Sequence, residues 1–440
     1  MPKYVVEGCT PLHGSIRLGG AKNVSYKLMI AALLGNEESR ILNFSHISDV
    51  ELVKDMINSL GARAYNAGER TLFVDPSEMD SWEIGPEYGE GSRASTMFLG
   101  PLLAKFGKAR LPFPGGDNIG KRPLDRHLAS LEALGVRFTV EENSLYAETD
   151  GLVGATFRFA KSTHTGTETM LMAAALAKGT TIIENAAEEP EIDDMIAFLN
   201  KMGARIRRRA HRVIEVEGVE KMGGAIHKIM PDQNEAVSYA VAAILTKGDI
   251  IVENARHQHM EAFLEKLEEI GGGYEVGDYG IRFFYKGPLR ATDVTTAIHP
   301  GFKTDWQPLW AILLTQAEGT SVIHETVSQR RFQYAEALER MGVEVSFYNP
   351  EVADPEKTYQ FNLEDDHPDD QHAMRITGPV ELQAIEYKVP DLRAGATILL
   401  AALIAKGQST IIDTASHVER GYESITERLN SMGAKILKEE

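Results

Sequence analysis

"TTIIENAAEEPEIDDMIAFLNKMGA", residues 180–204, passes from a short β-branched run through a polar break into a helical stretch and stops at a glycine. The run "TTIIEN" predicts a strand. Beyond the break, Met195, Phe198, Leu199 and Met202 fall on one side of a helix, which therefore covers a core from outside. Gly203 stands where a left-handed C-terminal cap is needed. The same pattern recurs at 40–62, 109–136, 249–272, 320–343 and 409–434. The closing glycines are Gly61, Gly135, Gly203, Gly271, Gly342 and Gly433, at intervals on the order of 70 residues, too long for a solenoid repeat.

Before each unit lies a helix that is apolar nearly all round, as in "TMLMAAALAKG" (169–179), "YAVAAILTKG" (239–248) and "TILLAALIAKG" (397–407). A helix of that kind is buried. The fold class read from this is α/β: six similar units, three to a globule, in two similar domains. The longest interval holds "FYNPEVADPEKTYQFNLEDDHPDDQHAM" (347–374), a polar acidic insertion read as a surface loop or an extra hairpin.

A chain of 440 residues can bury more than one core. A net charge of -18 argues against a nucleic-acid-binding surface or an anionic membrane as partner, because both need a basic face. No apolar run approaches the roughly 20 residues that span a bilayer, and the opening "MPKYVVEGCTPLHG" lacks the apolar core of a signal peptide. A cytoplasmic location is the expectation. Cys9 is the only cysteine, and "HQHM" (257–260), at a strand-to-helix turn, reads as surface. No cofactor and no metal are expected. The sequence carries no signal for oligomeric state.

If two like domains face each other, the cleft between them is the expected ligand site. Charged or glycine-bearing turns that break the repeat's pattern are then the places to look. In "LGGAKNVSYKLMIAALL" (18–34), Gly19, Gly20, Lys22 and Asn23 immediately precede a helix, where free N–H groups and an ammonium can meet a phosphate. "LPFPGGDNIGKRPLDRH" (111–127) joins a glycine-rich loop bearing Asp117 to Lys121 and Arg122. In "HPGFKTDWQP" (299–308), Asp305 is a helix cap or a general base. Asp391 and Arg393 precede a buried helix, and Arg420 is followed by a glycine. Lys22, Arg93, Arg122, Arg331, Arg393 and Arg420 together suit a highly anionic substrate.

With "GGAKN" (19–23), "SRASTMFLGPLLAKFG" (92–107), "PGGDNIGKRPLDRH" (114–127), "TTIIENAAEEPEI" (180–192), "HPGFKTDWQP", "ETVSQRRF" (325–332), "PDLRAGA" (390–396) and "ERGYE" (419–423) in that order, the chain resembles the enolpyruvyl transferase family over essentially its whole length. It is more similar to the sugar-nucleotide branch than to the shikimate-phosphate branch. The resemblance implies two inside-out α/β, barrel-like domains, each of three similar units around buried helices. It sets one domain at 1–21 plus 232–440 and the other at 22–231, the latter carrying a mobile loop at 111–123.

The activity implied is transfer of the enolpyruvyl group of phosphoenolpyruvate to the 3-hydroxyl of UDP-N-acetylglucosamine, with release of phosphate, at the first committed step of peptidoglycan synthesis. Such a site needs cations for phosphate and carboxylate, a base for the hydroxyl, an acid for the methylene carbon, and exclusion of water. By the resemblance, Lys22, Asn23, Arg122, Arg393 and Arg420 match phosphoenolpyruvate contacts, and Lys22 also counts among the catalytic groups. Asp305 matches the hydroxyl base and a sugar contact. Asn23, Arg93, Arg122, Pro123, Leu124, Asp125, Arg126, Lys161, Ser162, Thr163, His164, Thr165 and Val327 match nucleotide-sugar positions, with Asp391 and Arg331 in support.

Three departures stand out. Gln233 in "PDQNEA" and Ser48 in "HISDV" replace basic residues, and "KSTHTGTET" (161–169) carries one residue more than the usual pattern. They keep two alternatives in view: a paralogous transferase acting on another uridine nucleotide, and a non-catalytic nucleotide-sugar sensor.

Asp117 falls where most members of the family carry a cysteine that donates a proton. A free aspartate ionises near ~3.9, and neighbouring cations push it lower. Desolvation and a nearby phosphate dianion act the other way, so Asp117 is expected to become a competent acid only in the closed, ligand-filled state that the resemblance implies. Asp117→Asn is expected to abolish turnover while nucleotide-sugar binding, measured by calorimetry, stays nearly intact. Because a carboxylate is a far poorer nucleophile than a thiolate toward the epoxide fosfomycin, the enzyme is expected to resist that drug. Time-dependent covalent inactivation at low drug concentration contradicts the assignment of Asp117.

Overall fold

Every repeat folds as strand, break and covering helix in the computed structural model, which describes residues 2–8, 10–89, 93–113 and 124–439. The strand–helix pairs are Ser39–Leu42 with Ser48–Ser59, Lys108–Pro112 with Asp125–Glu132, and Thr180–Glu184 with Pro190–Lys201. They continue with Asp249–Glu253 and Glu261–Ile270, Ala317–His324 and Ala335–Arg340, and Gln408–Ile412 and Ile425–Ser431. Gly61, Gly135, Gly203, Gly271, Gly342 and Gly433 all have φ between 83° and 109°, the left-handed conformation that lets the chain leave each covering helix.

Each of these strands belongs to a different sheet. Five of them follow one rule, pairing parallel on one side and antiparallel on the other. Thr180–Glu184, for example, runs parallel to Thr156–Arg158 and antiparallel to Val213–Glu217. Lys108–Pro112 differs in having only a single parallel bridge, between Arg110 and Glu83. The N-terminal strand Lys3–Glu7 sits between Gln408–Ile412 and Lys435–Glu439, so one sheet ties the first described strand to the last.

By their internal contacts the described residues divide into two units, 2–18 with 231–439, and 19–113 with 124–230. Each has its own hydrophobic core. In the first, helices Gln233–Leu245, Gln307–Leu314 and Leu392–Ala402 are buried along their whole length, and Trp306 and Trp310 pack edge-on against Phe263 and Phe302. In the second, the buried helices are Lys22–Ala32, Leu99–Phe106 and His164–Ala174. Among the described residues no helix is long and apolar enough to cross a membrane.

The insertion at 347–374 is more than a solvated loop. It leaves the sheet at Val345–Tyr348 and returns at Ala373–Gly378, its antiparallel neighbour. Between them the rings of Tyr359, Phe361 and His372 cluster at tilted angles with centroids 5.0–5.1 Å apart, and His372 pairs with Asp366 at 2.8 Å. The acidic composition hid this small satellite core.

The "GGAKN" turn is set by packing as well as by charge. A Cβ on Gly20 would lie 1.9 Å from the carbonyl oxygen of Asn43, far inside contact distance. Gly20→Ala is therefore expected to destabilise the fold by roughly 2–4 kcal/mol, read as a lower denaturation midpoint at unchanged cooperativity. A midpoint equal to wild type overturns the packing argument.

Candidate active site

In the unit holding residues 231–439, one carboxylate is gripped by two arginines. Asp305 accepts from Arg331 Nη2 at 2.7 Å and from Arg393 Nη2 at 3.3 Å. Both guanidinium groups are almost wholly buried, whereas the Asp305 side chain is 30 % exposed, so the carboxylate is the accessible part of the cluster. Burial pushes the Asp305 carboxyl up, but Arg393 and Arg331 outweigh it and hold the group well below the usual carboxylate range. For Arg393 burial disfavours the charge; Asp305 and Tyr422 more than restore it. The helix-cap reading of Asp305 gives way: helix Gln307–Leu314 is preceded by Trp306 and has no side-chain cap. Two arginines attract a carboxylate more strongly than one turn of backbone N–H groups does.

Asp391 is itself a cap, accepting from the backbone N–H groups of Arg393 and Ala394 at 2.9 and 3.0 Å and so fixing the turn from which Arg393 projects. Val327 lies on a loop pinned by Glu325, whose Oε1 accepts the N–H groups of Val327 and Ser328 and the hydroxyl of Thr296. Arg420 ends the short turn Val418–Arg420. That turn lies close to helix Leu392–Ala402, where a Cβ on Gly421 would come within 2.7 Å of Leu392.

In the other unit Lys22, first residue of its helix and buried, pairs with Asp49. Five residues on, Lys27 pairs with Glu168 at 2.6 Å, both at most 2 % exposed, and His164 lies 3.2 Å from the same carboxylate. Burial opposes the charge on Lys27 and on Glu168, and their mutual attraction overcomes it in both. His127 contacts the hydroxyls of Thr169 and Thr165, each at 3.0 Å; burial, then the charge of Arg93, pushes its imidazole down to about 4. Thr163 caps helix His164–Ala174 by accepting from Gly166 N, and Ser162 accepts from Arg212 at 3.2 Å. Leu124 immediately precedes helix Asp125–Glu132, and Asp125 and Arg126 open it. Asn23 is the second residue of helix Lys22–Ala32, and Lys161 lies in a bend just before helix His164–Ala174.

The structure thus brings together Asp305, Arg331, Arg393 and Asp391 in one unit. In the other it draws His164 and Thr165 into neighbouring networks, on the buried helix and its cap. Asp117, Arg122 and Pro123 lie outside the described residues. Sequence reasoning missed Asp49, Lys27, Glu168, His127 and Tyr422. A signal existed for one of them: Lys27 is a lone charge heading an apolar run, a position that a buried helix tolerates only with a partner. Ser48 is exposed at the start of its helix, and Gln233 is buried in the first turn of another. Among the described residues no three His, Cys, Asp or Glu side chains group as metal ligands do.

The family model for EPSP synthase (3-phosphoshikimate 1-carboxyvinyltransferase) matches residues 6–429. The chain belongs to this enolpyruvyl transferase family. Within the family, a Halothermothrix orenii protein named UDP-N-acetylglucosamine 1-carboxyvinyltransferase is 38% identical over 438 residues, covering 100% of both chains. A Koribacter versatilis protein of the same name is 38% identical, covering 99% of this chain and 96% of its own. Among solved structures, the enolpyruvyl transferase NikO from Streptomyces tendae superposes with a TM-score of 0.85 at 24% identity, covering 100% of this chain and 99% of its own, a likeness of fold. An EPSP synthase from Acinetobacter baumannii gives 0.74 at 16% identity, with both chains fully covered. The α/β architecture read from the repeats is the architecture of the family.

In this family member the Lys27–Glu168 pair makes a sharp stability test. Lys27→Met leaves the buried Glu168 carboxylate with His164 in place of its lysine and is expected to cost about 3 kcal/mol, whereas Lys27→Met with Glu168→Met recovers most of that loss. Chemical denaturation of the two variants decides it, and a single variant as stable as wild type overturns it.

Proposed function

We propose that the chain transfers the enolpyruvyl group of phosphoenolpyruvate to the 3-hydroxyl of UDP-N-acetylglucosamine, releasing phosphate, in the cytoplasm and at the first committed step of peptidoglycan synthesis. Its two small-molecule substrates are both polyanions, and the observation that carries the reading is the Asp305 cluster. Two buried arginines, already charged and already placed, flank a partly exposed carboxylate. Full-length similarity to relatives bearing the name of that activity supports the same reading.

In the reaction, Lys22, Asn23, Arg122, Arg393 and Arg420 hold phosphoenolpyruvate. C3 of the enol takes a proton from Asp117, and the sugar hydroxyl, losing its proton toward Asp305, attacks C2. The tetrahedral adduct then loses phosphate as a proton leaves C3. Asp305 is a weak base while both arginines grip it. A substrate anion that draws Arg393 to itself loosens that grip and raises the basicity of Asp305 where the hydroxyl arrives. The nucleotide sugar is held by Arg93, Leu124, Asp125, Arg126, Lys161, Ser162, Thr163, His164, Thr165 and Val327, together with Asn23, Arg122, Pro123 and Asp305; Arg331 and Asp391 support the cluster.

A second reading, an acceptor that is another uridine nucleotide, is favoured by one feature: His164 beside Glu168 in the altered 161–169 segment. Phosphate release from phosphoenolpyruvate, assayed with UDP-N-acetylglucosamine and with UMP, separates the two. The expected result is turnover with the sugar nucleotide, lowered by 10²–10⁴-fold in Asp305→Asn, the span typical of a lost general base. Turnover with UMP alone selects the second reading.

A further inference from the structure

Behind Arg393 runs a chain of hydroxyls that the reaction above does not use. Arg393 Nη1 donates to the hydroxyl of Tyr422 at 3.1 Å, and its guanidinium carbon lies 5.6 Å from the centre of the same ring. The Tyr422 hydroxyl is 3.0 Å from Ser238 Oγ, which donates to the backbone carbonyl of Asn234 at 2.9 Å. Each hydroxyl has one proton, so the order is fixed: Arg393 donates to Tyr422, Tyr422 to Ser238, and Ser238 to Asn234.

The chain closes on itself. The side-chain oxygen of Asn234 accepts from Trp306 Nε1 at 2.9 Å, and Trp306 is the neighbour of Asp305. Asp305 and Arg393, which face each other at 3.3 Å, are therefore both referred to the first turns of helix Gln233–Leu245. That end of the helix is held in turn by Asp232, which accepts from the N–H groups of Asn234 and Glu235 at 2.7 and 3.0 Å. Tyr422 and Trp306 are each 1 % exposed and Ser238 2 %, so water has no access to replace a missing link.

We propose that Tyr422 is a positioning residue for the arginine that receives phosphoenolpyruvate. Its hydroxyl passes the orientation of helix Gln233–Leu245 to the Arg393 guanidinium and keeps that group aimed when a substrate anion draws it away from Asp305. The inference rests on the enolpyruvyl transfer proposed above, because it takes Arg393 to be the phosphoenolpyruvate contact. A guanidinium tethered at Nη1 keeps Nη2 directed at the anion. Without the tether the long side chain samples other rotamers, and apparent affinity for the anion falls by the fraction of time it is misaimed.

Steady-state kinetics of Tyr422→Phe, which keeps the ring and removes the hydroxyl, tests this. The expected result is a KM for phosphoenolpyruvate raised about tenfold, with the KM for UDP-N-acetylglucosamine within about twofold of wild type. Ser238→Ala, which cuts the chain one link further back, is expected to move the same constant by about threefold. Because both lesions break one chain, the double variant is expected to be no worse than Tyr422→Phe. If Tyr422→Phe does not fold, Ser238→Ala decides by the same split between the two KM values. An unchanged KM for phosphoenolpyruvate, an equal rise for both substrates, or additive effects overturns the proposal. Wild-type protein that releases no phosphate from phosphoenolpyruvate overturns the functional reading, and this inference with it.

Discussion

A charge on a helix with no solvent-facing side must find its counter-charge in the interior or not be there at all. That constraint governs both units. The helices at the centre of each are largely buried, and the buried cations they carry, Lys22 and Lys27 in one unit and Arg393 in the other, all meet a carboxylate from a different element. The cores provide the burial and the pairs make it tolerable. The same low-dielectric surroundings that make an unpaired charge costly make a paired one strong enough to grip a phosphate or carboxylate when a substrate replaces its partner.

Asp305 shows how this turns into chemistry. Two arginines already carry their charge before any substrate arrives, so no proton has to be found and no side chain has to be reorganised from solvent. The carboxylate they hold is depressed in basicity for as long as they hold it. In the proposed reaction, base strength at Asp305 is thus tied to occupancy of the anion contacts, which favours proton removal only when phosphoenolpyruvate is in place. Glu235 shows the opposite case on the same unit: burial, opposed by Arg428, pushes its carboxyl up to about 7. Environment, and not residue type, separates the two.

The repeat also explains why the site residues are so scattered in the chain. Each unit of strand, break and covering helix delivers its turn in an equivalent place, so residues that share no neighbourhood in sequence can share a function. Glycine, aspartate and threonine at those turns serve packing and capping: Gly20 lies against Asn43, Asp391 caps the helix that presents Arg393, and Thr163 caps the one that begins with His164.

What could be read from the residues alone was the periodic part. The β-branched runs, the one-sided helix stripes and the six glycines with positive φ are local in origin, set by backbone sterics and side-chain spacing within about a dozen residues, so the α/β class and the repeat were legible. The charged turns were legible as places, because glycine and arginine interrupt an otherwise bland pattern. Their partners were not. Which carboxylate meets Lys27, why Asp305 faces two arginines and not the helix it precedes, and how Arg393 reaches Ser238 and Asn234 through Tyr422 all depend on contacts between residues tens to hundreds of positions apart. Local periodicity carries no record of such distances; packing decides them, because most buried charges and hydroxyls have to find partners at once.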